Sequence, residues 1–109
     1  MRDVAESDWK LFMKMLPQWQ ERYMEKLIGR YVETLNGDSE ASSRFWALEE
    51  RINRDKLSSG VLANDIRRST MHYEIANLLS DNVITLDDLD GFTEDIKDYA
   101  RRCIGRQER

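Results

Sequence analysis

Apolar side chains recur at helical spacing along almost the whole chain. The first such group falls at i, i+3, i+4 and i+7, and comprises Trp9, Phe12, Met13 and Leu16. Ser7 is expected to cap this helix. Pro17 lacks the backbone N–H that a helix interior uses, so it is predicted to end the helix, with a single kinked helix as the alternative. A second helix is predicted from Pro17 to about Leu35, and its internal Gly29 suggests close approach of a neighbouring helix.

Two further helices are predicted next. Ser39 or Ser42 is expected to cap the third helix, which ends near Lys56. Its apolar residues are predicted to point inward, apart from one tryptophan at the edge of the stripe; they are Phe45, Leu48, Ile52 and, at the edge, Trp46. After the break at 58–60, a fourth helix is predicted from about Val61 to Ser80, and Asp81-Asn82 is expected to end it.

The last part of the chain is predicted to form a short turn and a final helix. Thr85 is expected to cap a single turn, Leu86 to Asp90, in a pattern that pairs Thr85 with Asp88. The final helix is predicted to start at Thr93. The fold class expected for residues 1–109 is therefore all-α: one domain, a compact bundle of about four main helices plus one short helix.

The predicted fourth helix carries apolar residues on two sides. One group comprises Leu62, Ile66, Tyr73 and Ala76, and the other comprises Met71, Ile75, Leu78 and Leu79. Such a helix is expected either at the centre of the bundle or in a self-association surface. The second group is expected to be covered by the last helix, through Phe92, Ile96 and Tyr99, and its burial predicts that Leu79→Ala costs about 2–5 kcal/mol.

A polar strip interrupts this predicted helix. Asp65, Arg68 and His72 fall at i, i+3 and i+7, so a helix would place them on one side. They could form an internal ion pair, a seam for a partner helix, or an acid–base set. In a two-fold dimer, Arg68 and His72 would face the partner's Asp65. The candidate partner-binding residues are Asp65, Arg68, His72, Ile75 and Leu79.

Composition and charge indicate a globular protein with a charged surface. Apolar residues make up 40% of the chain, charged residues 35%, and the net charge is −4. Residues 74–98 hold eight acids and one lysine, a local net charge of −7, and such a band repels phosphate. No apolar stretch is long enough to span a membrane, and the acidic start does not fit a secretory signal. With Cys103 as the only cysteine, these features favour the cytosol.

Two parts of the sequence bear on binding chemistry. The segment 81–92 resembles half of a calcium loop, but ligand positions upstream are occupied by residues such as Leu79, so we expect no metal there. A nucleic-acid site would draw on a basic pair and the carboxy-terminal arginines; these are Arg67, Arg68, Arg101, Arg102, Arg106 and Arg109. The acidic start of the last helix fits a helix-turn-helix poorly, so nucleic acid is the less favoured partner.

Two stretches resemble a group of small bacterial helical proteins. They are Trp19-Gln20-Glu21-Arg22-Tyr23-Met24 and the segment from Arg67 to Phe92, with Asp81-Asn82-Val83-Ile84-Thr85-Leu86-Asp87-Asp88 at its centre. The resemblance implies a bacterial, cytosolic, helical protein. It implies no site residues, because that group brings no known activity.

The function predicted from the sequence is protein binding. No nucleophile with a triad context is recognisable around Cys103, so we expect no enzyme and no cofactor. The primary hypothesis is a small non-enzymatic cytosolic protein that binds another protein or a second copy of itself as a homodimer. The alternative is a nucleic-acid-associated regulator that uses the arginines above, and an enzyme is third.

Overall fold

The computed structural model describes residues 4–62 and 66–107. They form four α-helices: α1 (Glu6–Leu35), α2 (Ala41–Asp55), α3 (Met71–Ser80) and α4 (Glu94–Gln107). Two short 3-10 turns lie at Arg68–Thr70 and Leu86–Leu89. No strand occurs among the described residues. The predicted all-α class, with four main helices and a short one near residue 86, is therefore confirmed.

Residues 6–35 form one helix rather than two. Pro17 lies inside α1, on its exposed side. Leu16 and Trp19, on either side of it, are both buried in the same core, and this shared burial keeps the helix continuous. The prediction that Pro17 ends the helix is wrong, and the single-helix alternative is correct. Ser7 is not the cap either, since α1 begins at Glu6.

The predicted fourth helix is the largest error in the sequence-based boundaries. Its helical part, α3, begins only at Met71, ten residues later than expected. The turn at residues 58–61 is bound to the end of α3, because the N–H and hydroxyl of Ser59 both donate to the Asp81 carboxylate, at 3.0 and 2.7 Å. Gln20 Nε2 also donates to the Ser59 carbonyl at 3.2 Å. These bonds fold the chain back onto α1 and compete with helix formation.

The core lies between the first half of α1, α3 and α4. The predicted inner group of α3 is buried as expected, and α4 packs against it; the group comprises Met71, Ile75, Leu78 and Leu79. The opposite group is divided: Leu62 and Tyr73 are exposed, whereas Ile66 and Ala76 are partly buried against the core. From α1, the core takes Phe12, Leu16 and Trp19. α3 is therefore buried on one side only.

The turn after α3 follows the predicted stop signal. Asn82 adopts a left-handed conformation, with φ of 60°. The N–H of Asn82 then donates to the Leu79 carbonyl, and that of Val83 to the Leu78 carbonyl, at 3.1 and 2.9 Å. This is the Schellman arrangement, completed by packing of Val83 and Leu78 in the same core. Asparagine is one of the few residues that take this conformation at low cost.

The acidic segment is ordered by specific bonds. The Asp88 carboxylate accepts the Thr85 N–H at 2.8 Å, which confirms the predicted Thr85–Asp88 pairing. The guanidinium of Arg22 in α1 donates to the same carboxylate through two nitrogens, both at 2.9 Å. Burial acts to raise the pKa of Asp88, but the bonds from Arg22 and Thr85 outweigh it and lower the pKa below its ordinary value.

The start of α4 is fixed by a residue from the start of α1. Asp8 is buried, and its two carboxylate oxygens accept the N–H and the hydroxyl of Thr93, at 3.0 and 2.6 Å. Thr93 directly precedes α4, where backbone N–H groups lack helical partners and a negative charge is stabilising. The first and last helices are thus joined by a buried polar contact.

Gly29 lies mid-helix in open space. A methyl group added at this position would meet no atom within 4 Å, so no helix of the described chain makes the close approach that the sequence suggested. Gly29→Ala should therefore raise the free energy of unfolding by about 0.5–1 kcal/mol, because alanine restricts the unfolded chain and favours the helix. Urea unfolding followed by circular dichroism measures the change. A lower midpoint for the variant would contradict the assignment of open space.

Candidate protein-binding surface

The residues predicted to bind a partner do not form a surface seam. Ile75 and Leu79 are 0% and 4% exposed, so they belong to the monomer core and are not available to a partner. Arg68 precedes α3, in the first 3-10 turn, and its Nε donates to the Val4 carbonyl at 2.8 Å. Asp65 lies outside the described residues. The single helix face that would have aligned these residues does not form, since α3 starts too late.

His72 packs against aromatic rings rather than against a predicted ion partner. Its ring lies 4.1 Å from the Tyr73 ring and 5.6 Å from the Tyr99 ring, measured between centroids. Burial lowers the pKa of His72, because the imidazolium form loses hydration there. Burial also raises the pKa of the Tyr99 phenol, which lies against the Cys103 thiol. His72 therefore favours its neutral form in the folded chain.

This pKa shift predicts a loss of stability on mild acidification. The unfolded chain takes up a proton at His72 near the ordinary pKa of about 6.5, whereas the folded chain does so only at lower pH. His72 therefore destabilises the fold progressively as the pH falls below about 6.5. Urea midpoints should fall between about pH 7.5 and pH 5.5, and His72→Gln should show a smaller fall. An equal fall in both proteins would show that His72 is not the source of the pH dependence.

The arginines of the nucleic-acid alternative are partly engaged within the chain. Arg101 pairs with Asp98 at 2.6 Å and with Glu94 at 3.6 Å, and Arg68 donates to Val4 as described. Arg102 and Arg106 are exposed on α4, and Arg109 lies outside the described residues. Arg67 borders the first 3-10 turn, where its N–H donates to the Thr70 hydroxyl at 3.2 Å. Nucleic-acid binding stays a prediction.

The described residues form neither a metal-binding cluster nor a membrane-spanning helix. Among them, no three His, Cys, Asp or Glu side chains come together in a way that could hold a metal ion. None of the described helices combines the length and the apolar character needed to cross a membrane.

An exposed apolar surface lies on the hairpin formed by α1 and α2. The second half of α1 and the whole of α2 run antiparallel, joined by residues 36–40. Exposed apolar side chains follow each helix at helical spacing on the same side; we call the set Ile28, Val32, Leu35, Phe45 and Ile52 the hairpin face. Phe45 is 62% and Ile28 53% exposed. The expectation that Phe45 and Ile52 point inward is therefore wrong.

A groove on this side confirms that the two stripes belong together. It has a volume of about 230 Å³ and lies between α1 and α2, with Ile28 on one wall and Ile52 on the other. Leu27 and Tyr31 form its floor, and Lys56 is at its edge. The groove thus connects the α1 and α2 parts of the hairpin face at Ile28 and Ile52.

Polar contacts hold the hairpin together, because α2 has no buried residue. The Tyr31 hydroxyl donates to the Asp55 carboxylate at 2.6 Å, and burial together with this bond raises the pKa of Tyr31 to about 12. At the other end, the Arg44 guanidinium donates to the carbonyls of Leu35 and Ser39, at 2.6 and 2.9 Å. These hydrogen bonds help to position α2, and three of its large apolar residues, Phe45, Trp46 and Ile52, stay exposed.

The dimensions of the molecule agree with a projecting hairpin. The radius of gyration is 16.5 Å, compared with about 13 Å for a compact domain of this length. The principal extents are 53 × 30 × 21 Å. One end of the molecule contains the core, and the other end is a two-helix projection with an apolar side.

Comparison with protein-family models, with curated proteins and with solved structures finds no match. The resemblance to small bacterial helical proteins accordingly stays a prediction.

Proposed function

We propose that this chain is a non-catalytic protein-binding module and that the hairpin face is its binding surface. The observation that carries the proposal is α2 itself, a 15-residue helix without a single buried residue. An isolated helix of that length is marginal in water, and helices in proteins gain most of their stability by burying an apolar side. Phe45 and Ile52 form such an apolar side, and a partner protein buries it.

The size of the hairpin face supports this function. Its five exposed side chains present on the order of 450 Å² of apolar surface, which is as large as the biggest patch on most monomeric proteins, a patch that often serves binding. Phe45 also packs edge-on against Trp46, with ring centroids 4.9 Å apart. Aromatic residues of this kind are enriched at the energetic centres of protein interfaces.

Site-specific photocrosslinking in the native host tests the proposal. A benzophenone amino acid replaces Phe45, and the control carries the same amino acid in place of Met13, an exposed apolar residue of α1 outside the hairpin. We expect a defined protein adduct at position 45, identified by mass spectrometry, that is absent or much weaker at position 13. Equal adducts at both positions, or none at position 45, would overturn the proposal.

A further inference from the structure

We propose that the partner of the hairpin face is the hairpin face of a second copy of this chain, so that two hairpins form an intermolecular four-helix bundle. This inference rests on the proposed function and names its partner. Two antiparallel helices expose one apolar side and lack a second layer, and a second hairpin placed on that side supplies it.

The area of the hairpin face matches what a stable dimer needs. A standard interface buries about 800 Å² on each partner, and about 56–65% of that is apolar, which amounts to roughly 450–520 Å². The hairpin face offers on the order of 450 Å² before any change of side-chain rotamer. A two-fold pairing uses the same surface on both chains, so no further patch is required.

The direction of the helices fixes how the copies pair. A two-fold axis parallel to the hairpin, between the two faces, places α1 of one chain against α2 of the other. These helices then run antiparallel, as they do within one hairpin. Ile28 and Ile52 line the same groove, so they lie near each other along the hairpin, and the axis preserves their heights along it. Ile28 of one chain therefore meets the partner's Ile52.

Charges at the edges of the hairpin face fit this arrangement. Glu25 follows the outer edge of the α1 stripe, and Lys56 borders the groove on α2. Within the described part of the chain, neither residue takes part in an ion pair. In the proposed dimer, Glu25 lies opposite the partner's Lys56, and symmetry creates this pair twice. Opposite charges at the rim of an interface favour this register over others.

Sedimentation equilibrium from micromolar to several hundred micromolar protein tests the dimer. We expect the full chain to approach the mass of two copies. Ile28→Glu should weaken dimerisation about a hundredfold or more, since it buries an unpaired carboxylate in each half of the interface. Phe45→Glu makes the same test from α2. Met13→Glu is the matched control, because it adds the same charge to an exposed apolar site of α1 outside the face.

A charge exchange tests the pairing of α1 with the partner's α2. Glu25→Lys and Lys56→Glu should each weaken dimerisation about tenfold, because each turns two attractive pairs into repulsive ones. The double variant should recover most of the lost affinity, since it restores both pairs with reversed sign. Circular dichroism confirms that each variant keeps its helices.

The outcomes separate this inference from the proposed function. A dimer that is lost in Ile28→Glu and Phe45→Glu, kept in Met13→Glu, and restored by the double charge exchange supports the proposal. A chain that stays monomeric overturns the dimer, and an adduct at position 45 with a different protein then preserves the proposed function alone. A dimer indifferent to Ile28→Glu and Phe45→Glu, or a double variant as weak as the single ones, also overturns the inference.

Discussion

Ile75→Arg is expected to leave the chain unfolded at room temperature. Ile75 is fully buried in the middle of α3, between α1 and α4. Losing its packing costs about 2–5 kcal/mol. A guanidinium at the same place adds several kcal/mol of lost hydration, because the site lies within an apolar core. The combined cost is comparable with the whole stability of a domain, about 5–15 kcal/mol.

Far-UV circular dichroism and urea unfolding measure this effect, and Asn77→Arg is its control. Asn77 lies two residues later in α3 and is exposed, so the same substitution should change the urea midpoint little. Ile75→Ala gives the graded version, with an expected loss of about 2–5 kcal/mol. A cooperatively folded Ile75→Arg protein with a near-native midpoint would show that α3 is not enclosed as described.

Gly60→Ala is expected to destabilise the fold by about 1–3 kcal/mol, the usual cost of overpacking. The added methyl carbon would lie 2.7 Å from Cγ of Tyr23 and 2.8 Å from Cγ2 of Val83. Neither side chain can move aside easily. Val83 is buried, and the Tyr23 contact is at Cγ, the ring atom that is bonded to Cβ. Either the ring or the turn at residues 58–61 must move, which disturbs the Ser59–Asp81 bonds.

Gly29→Ala is the natural comparison for Gly60→Ala. The two variants carry the same chemical change, yet urea midpoints should move in opposite directions, because one glycine is enclosed and the other lies in open space. Two stabilised proteins would mean that the segment at 58–61 does not pack on α1. Combining Gly60→Ala with Val83→Ala should not restore stability, since the Tyr23 contact remains and a core side chain has been shortened.

The sequence predicts elements whose signals are local. The four buried positions of α3 share one helix face whether the helix starts at residue 61 or 71, so their burial was predictable despite the wrong boundary. Asn82 and the Thr85–Asp88 pair also act through bonds to near neighbours, and both were predicted. Local patterns of this kind depend little on the rest of the fold.

The features that escaped prediction depend on distant partners. Helix propensity favours a helix after Val61, but Asp81 binds Ser59 from 22 residues away and opposes it. Pro17 suggests a break, but burial on both sides of it sustains α1. The stripe on α2 has normal helical periodicity, and periodicity alone cannot distinguish a side that faces the core from one that faces a partner. The exposure of the hairpin face could therefore not be predicted from the sequence.

The buried contact between Asp8 and Thr93 joins residues 85 positions apart, and this separation determines when the chain can fold during its synthesis. The α1 residues Phe12 and Trp19 pack in the same core as residues 71–103. At translation rates of about 5–20 residues per second, roughly 4–15 s pass between synthesis of Trp19 and of Ile96. During that interval the apolar stripe of α1 emerges from the ribosome without its core neighbours. Folding of this small protein must therefore wait for its last helix, and nascent chains truncated before α4 are expected to be substrates for chaperones and proteases.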